Sequence, residues 1–261
     1  MEAGPAPISE DDPSYVGALA RGLSVIRAFD IGRESLTLAD VAKATSLPRA
    51  TVRRSLLTLQ ALGYVASDGK QFRLTPRILS LGYAYLASTP LTRVLQPALE
   101  AVSERTHESC SACTLDGPEI VYVARAATKR IMSVGLAVGS RLPAYCTSMG
   151  RVLLAAEPPE TARRILAQSD LRRLTPHTET DIDALMAILD QVRRDGYALV
   201  DQELEVGLRS VAAPVRNSAG QVLAAMNASA QAGRISAERL VETALPVLRE
   251  QAESLRASLV S

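Results

Sequence analysis

The sequence predicts an α+β protein of two domains, a small helical one closed by a β-hairpin and a larger one of interspersed strands and helices. Three observations predict it. At 261 residues the chain is long enough to bury two cores. Its charge is divided, with ten Lys+Arg against four Asp+Glu in residues 14–88 and nineteen against twenty in residues 89–261. Helical periodicity fills residues 19–62, whereas strand-like alternation around turn residues starts after Gly63 and recurs to the end.

Apolar residues at 47% and charged residues at 22% suit a globular chain, and no run of 18 apolar residues could span a membrane. The opening "MEAGPAPISEDDPS" is acidic and rich in proline, unlike a secretory leader. Residues 1–14 are therefore expected to form a disordered tail, and the protein to be cytoplasmic. Three cysteines, Cys110, Cys113 and Cys146, do not make a disulfide framework.

The first helix is expected in "LARGLSVIRAF", where Leu19, Leu23, Ile26 and Phe29 recur at helical spacing. "TLADVAKAT" follows, with Thr37 as N-cap ahead of Leu38, Val41 and Ala42. After the turn "TSLP", Pro48 suits the first turn of a third helix. There Val52, Leu56, Leu59 and Gly63 fall on one stripe, with Ala50, Arg53, Arg54 and Ala61 opposite and Arg49 and Thr51 flanking. "YVASDGKQFRL" then alternates about Asp68-Gly69, a hairpin turn, and carries Lys70 and Arg73 on its second strand.

Two helices, a turn, a basic helix and a basic hairpin outline a winged helix-turn-helix over residues 15–75. A helix that faces phosphates and guanine edges must carry no carboxylate there, which explains why "SLPRATVRRSLLTLQALGYV" has arginines and no acid. Ala50, Thr51, Arg53 and Arg54 are expected at bases, Arg49, Lys70 and Arg73 at phosphates, and Thr37 at the edge of the same DNA-binding surface. The plain alternative is a solvated basic face. Residues 76–90, "PRILSLGYAYLASTP", form a linker helix that Thr75 caps, with almost no polar side. It is best buried against a second chain, so that two recognition helices read a palindromic site on double-stranded DNA; burial against the C-terminal domain is the alternative.

Residues 91–261 are expected to hold a helix from Leu91 to Glu108, interrupted or not at Pro97, and two strands about Asp116-Gly117-Pro118. "RIMSVGLAV" reads as a further strand, and "MGRVLLAA" as a short helix stopped by "EPPE". An amphipathic helix over 181–195 ends at Gly196; three strands ("YALVDQE", "RSVAAPVRN", "QVLAAMNAS") and a closing helix complete an α+β sensor-like domain. Thr147, Ser148, Met149 and Gly150 stand at a helix start, where free N–H groups favour an anion, or where ordinary capping and a packing glycine would serve.

"GSRLPAYCTSMGRVLLA" (139–155) and "GYALVDQELEVGLRSVAAPV" (196–215) resemble the two characteristic blocks of the IclR family of bacterial transcriptional regulators, and the resemblance covers residues 15–258. "LTPRILSLGYAYLASTPL" and "RLPAYCTSMGR" are most similar to its protocatechuate, 4-hydroxybenzoate and β-ketoadipate (Pca/Pob-type) members. The resemblance implies a winged helix-turn-helix joined by the linker helix to a GAF/PAS-like α+β effector domain, in a homodimer or dimer of dimers (homotetramer). It implies no enzyme, no cofactor and a small carboxylate effector, an aromatic acid or a β-ketoadipate-pathway metabolite. Its effector pocket would take Ile131, Val134, Leu142 and Tyr145, the helix start Thr147–Gly150, and Asp201, Glu203, Ser210, Asn227 and Ser229. Asn227 and Ser229 lie two apart and so share a strand face. Asp201 and Glu203 also share one, but would repel an acid unless they bind its hydroxyls. Branches sensing very small keto-acids tend to carry a carboxylate near Val200, so valine there favours a larger ligand.

A zinc or thiol-responsive site, from His107, Cys110, Cys113 and Cys146, is the lower reading. On one strand Cys110 and Cys113 would point to opposite faces. Catalysis is lower still, since His107 and His177 are the only histidines and no nucleophile, phosphate-loop or metalloprotease motif is present.

Overall fold

The computed structural model describes residues 9–30, 32–88, 90–127 and 136–259. Most of the expected tail, most of the strand expected in "RIMSVGLAV", and with it Ile131 and Val134, lie outside the described residues; Leu136–Val138 are not in a strand. The chain divides into two compact units, Met1–Ala84 and Tyr85–Ser261.

In the first unit, α1 (Gly17–Arg27), β1 (Leu36–Thr37), α2 (Leu38–Thr45) and α3 (Arg49–Ala61) precede the hairpin β2 (Val65–Ser67) and β3 (Gln71–Leu74). β1 joins that hairpin to give an antiparallel sheet of order β1-β3-β2, a strand too short for alternation to reveal. Ser46 adopts left-handed φ +56° to turn α2 into α3, and Pro48 is the residue before α3 rather than in its first turn. Val25, Val41, Val52, Leu56, Leu59 and Val65 form the core. The stripe expected on α1 holds only at its end: Ile26 and Phe29 pack on the core beside buried Val25 and Ala28, whereas Leu19 and Leu23 are exposed.

Thr75 does not cap the next segment, because its hydroxyl donates to the Gly63 carbonyl instead. Pro76–Ile78 make one 3₁₀ turn, and α4 (Leu79–Ser88) continues. Among its described side chains, Leu79 is 71% and Tyr83 69% exposed, and Leu81 and Tyr85 are exposed too.

The second unit is built on one six-stranded antiparallel sheet of order β6-β5-β4-β9-β8-β7. Its strands are β4 (Ser109–Asp116), β5 (Glu119–Ala126), β6 (Arg141–Pro143), β7 (Ala198–Asp201), β8 (Leu208–Arg216) and β9 (Val222–Gln231). α5 (Pro90–Thr106) runs on through Pro97 and, with α9 (Ala237–Leu255), covers one face; Leu95, Leu99, Leu240 and Leu248 pack there on Cys110, Ala112 and Met226. α6 (Ser148–Ala156), α7 (Pro159–Gln168) and α8 (Ile182–Asp195) lie on the other side, where Met149, Leu153, Leu166, Leu185 and Leu189 meet Cys113 and Ala225. α7 was not expected: the prolines that stop α6 also start it, with Pro159 at its first position. Asp181 caps α8 by accepting from Ala184 N–H at 2.8 Å, and Gly196 ends it at φ +70°.

Candidate nucleic-acid interface and ligand cavity

α3 is held by Val52, Leu56 and Leu59 in the core, which leaves Arg49, Ala50, Arg53 and Arg54 exposed and Thr51 half-buried. Among the described residues no ion pair engages those arginines. The hairpin turn is fixed by Asp68, whose Oδ1 accepts from Gln71 N–H at 2.8 Å and Lys70 N–H at 2.9 Å, bonds that lower its pKa. Gly69 supplies φ +95°, and Lys70 and Arg73 project from the turn and second strand. Thr37 differs from the other expected DNA contacts. Its hydroxyl donates to Asp40 Oδ2 at 2.7 Å and accepts from Asp40 N–H at 3.3 Å, a closed capping box.

In the second unit, one cavity gathers side chains from β4, β5, β7, β8, β9 and the start of α6. Of the expected pocket residues it collects Thr147, Ser148, Met149, Ser210, Asn227 and Ser229. The sheet register explains the collection. Arg125, Ser111 and Asn227 are successive cross-strand partners, as are Ser109, Ser229, Ser210 and Val200, so two rows of side chains cross the same face. Ser148 and Ser210 hydroxyls bond each other at 2.8 Å, and Asn227 Nδ2 donates to Ser229 Oγ at 3.0 Å. Thr147 caps α6 by accepting from Gly150 N–H at 3.2 Å and donating to the Pro143 carbonyl at 3.0 Å.

Five expected residues do not line it. Gly150 is a packing glycine: a Cβ there would lie 2.2 Å from the Ala144 carbonyl oxygen, so what it admits is the chain's own backbone. Tyr145 donates its hydroxyl to the Arg172 carbonyl at 2.6 Å, and Leu142 pairs with Ile120 on β5. Asp201 is engaged by Arg209 at 3.0 Å through both carboxylate oxygens, and Glu203 by Arg151 at 2.6 and 2.7 Å. The repulsion expected from these two acids is thus neutralised in place.

The cavity also contains residues that the sequence did not single out, above all Arg125 and Tyr122. They are three apart on β5, and strict alternation would send them to opposite faces. The register shows why both face the cavity: Ala112 pairs with Ala124 but Cys113 with Tyr122, so Val123 is an extra residue that bulges the strand. Arg125 is half-buried, its backbone held by Gln96 at 3.2 and 3.3 Å, and no acidic side chain among the described residues engages its guanidinium. The same charge opposes the strong upward push of burial on the Tyr122 hydroxyl's pKa.

Cys110 lies in the core under α5 and α9, whereas Cys113 and Cys146 lie in the core under α6 and α8, so the three thiols do not converge. Burial pushes the pKa of Cys110 and Cys146 to about 12 and raises Cys113 as well. Both histidines are exposed.

Comparison with known proteins agrees with this geometry. The family model described as IclR helix-turn-helix domain matches residues 18–69, and the one described as bacterial transcriptional regulator IclR C-terminal matches residues 83–257. The Pca regulon regulatory protein of Pseudomonas putida is 49% identical over 91% of this chain and 82% of its own. The p-hydroxybenzoate hydroxylase transcriptional activator of Acinetobacter baylyi is 38% identical over 93% of this chain and 91% of its own. An IclR homolog from Microbacterium hydrocarbonoxydans, solved in complex with 4-hydroxybenzoate, superposes with a TM-score of 0.79 at 28% identity, over 92% of this chain and 97% of that one. The chain belongs to the IclR family of bacterial transcriptional regulators.

Proposed function

We propose that this regulator answers to a small aromatic acid, whose carboxylate sits on Arg125 and whose ring lies across the hydroxyl-bearing face of the sheet. The observation that carries the reading is Arg125 itself, a half-buried cation turned by a bulge into a cavity of hydroxyls with no acid among the described residues to balance it. A half-buried cation without an anion is partly desolvated and unpaired, and a carboxylate ligand supplies the missing partner. Met149, Val200, Leu136, Leu204 and Leu208 supply apolar contacts of the kind a ring needs. The relative solved with 4-hydroxybenzoate supports an aromatic acid over a two-carbon or three-carbon one.

Residues 15–75 act as the DNA-binding module, 76–90 as the linker and 91–261 as the effector unit. Ala50, Thr51, Arg53 and Arg54 meet bases, while Arg49, Lys70 and Arg73 meet phosphates. The exposed Leu79, Leu81, Tyr83 and Tyr85 of α4 are covered by a second copy, giving a dimer, or a dimer of dimers, on a palindromic operator. No helix among the described residues is long and apolar enough to cross a membrane, which suits a cytoplasmic protein that works on DNA.

Fluorescence anisotropy on DNA from upstream of the protein's own gene, at fixed salt, tests the reading with 4-hydroxybenzoate, protocatechuate and β-ketoadipate as additives. A specific complex altered by an aromatic acid supports it. A response to β-ketoadipate alone would replace the ligand, and indifference to all three would remove it.

A further inference from the structure

The buried ion pair Arg151–Glu203 does not line the cavity, yet it adjoins two segments that do. Arg151, on the second turn of α6, is 3% exposed. Its guanidinium forks onto both carboxylate oxygens of Glu203 and its Nε donates to the Tyr145 carbonyl at 2.8 Å, just before the cavity residues Cys146–Met149. Glu203 lies in the β7–β8 connection, immediately before Leu204, which also lines the cavity.

That connection has other anchors, and they converge on Gln202 and Glu203. Thr178 donates to the Glu203 carbonyl at 2.6 Å, Thr175 to the Gln202 carbonyl at 2.7 Å, and Glu179 N–H to Glu203 Oε2 at 3.0 Å. Gln202 itself takes left-handed φ +60°, a conformation that a residue with a side chain adopts only when its surroundings hold it there. A forked arginine–carboxylate pair in a dry setting fixes geometry far better than a single neutral hydrogen bond.

We infer that Arg151 and Glu203 are a positioning pair that clamps the β7–β8 connection onto α6 and thereby fixes Leu204 as a rigid wall limiting the size of acid the cavity accepts. The inference rests on the reading of this cavity as the effector site. It gives the carboxylate of Glu203 a role that needs no ligand contact. It also ties the start of α6 to the Leu204 wall, so neither can move without straining the other.

The test uses the full-length protein and two variants. Glu203→Gln keeps the shape and removes the charge, and Arg151→Lys keeps the charge and removes the fork. Amide hydrogen exchange is measured without ligand, and affinities are measured for 4-hydroxybenzoate and the bulkier 4-hydroxy-3-methoxybenzoate. In both variants exchange should rise about tenfold or more in residues 147–151 and 202–208 together, with β9 and α9 unchanged. Discrimination against the bulkier acid should fall about tenfold, since a wall that yields cannot reject a methoxy group. Faster exchange with the ratio of affinities intact would reduce the pair to a structural role and overturn the inference. Unchanged exchange in either segment would overturn it as well. If the unaltered protein binds neither acid while both segments still loosen together, the effector reading falls and the clamp stands.

Discussion

Replacing Arg125 by glutamine tests the charge logic of the cavity. Two opposite charges about 4 Å apart in an effective dielectric of about 20 attract by roughly 4 kcal/mol, which is a ceiling. Arg125 is only half-buried, so water recovers part of that, and a charge-assisted hydrogen bond contributes about 1.5–3 kcal/mol. The loss should therefore be about 2–3 kcal/mol, or roughly 30- to 150-fold in affinity for 4-hydroxybenzoate. Calorimetric titration of both proteins with the acid and with its methyl ester isolates the charge. The natural protein should prefer the acid, and Arg125→Gln should bind acid and ester about equally. A variant that keeps the natural preference for acid would refute the argument, because the carboxylate would then be held elsewhere. Glutamine retains donors and the strand position, so melting temperature and ligand-free DNA affinity should hold.

Other expectations follow from the same structure. Arg53→Ala should cost about 1–3 kcal/mol on the specific operator and relax base preference, measured by anisotropy over a salt series; an equal loss on random DNA would make Arg53 a phosphate contact. Gly150→Ala would drive a Cβ to 2.2 Å from the Ala144 carbonyl, where backbone must shift, and should cost about 3 kcal/mol or more in a denaturation series. The thiols make stability fall in alkali. With the folded pKa of Cys110 and Cys146 at about 12 against an ordinary 9.0, the folded chain keeps protons that the unfolded chain releases. That contribution is full below pH 9 and is lost as pH rises towards 12, so urea midpoints should drop across this window, and Cys→Ala variants should drop less.

The DNA-binding unit was legible because its signals are local. A capping box at Thr37, an Asp68-Gly69 turn and a stripe of Val52, Leu56 and Leu59 each act within a few residues of chain. The stripe on α1 misled because Leu19 and Leu23 satisfy helical spacing without facing this unit's core. In the effector unit, alternation showed that Asn227 and Ser229 share a face, their place in a pocket came from the family resemblance, and Thr147 and Ser148 were legible from the helix start. Asp201 and Glu203 looked like pocket acids because Arg151 is 52 residues from Glu203, and Arg209, though only eight from Asp201, meets it only through the β7–β8 register. Arg125 was hidden for another reason: no periodic rule anticipates one extra residue in a strand.

The extra residue at Val123 bears on how such a sensor keeps its diet when the length of β5 drifts. The bulge takes up one added link, so Tyr122 and Arg125, three apart in the chain, keep one facing opposite Cys113 and Ser111. Deleting Val123 would restore plain alternation, with Ala124 still opposite Ala112 and Arg125 still opposite Ser111, so the cation would keep its place in the cavity. The composition of the lining segments would be almost untouched. A chain that loses this one residue therefore keeps the charge of its cavity, and that charge changes only by substitution at Arg125 itself.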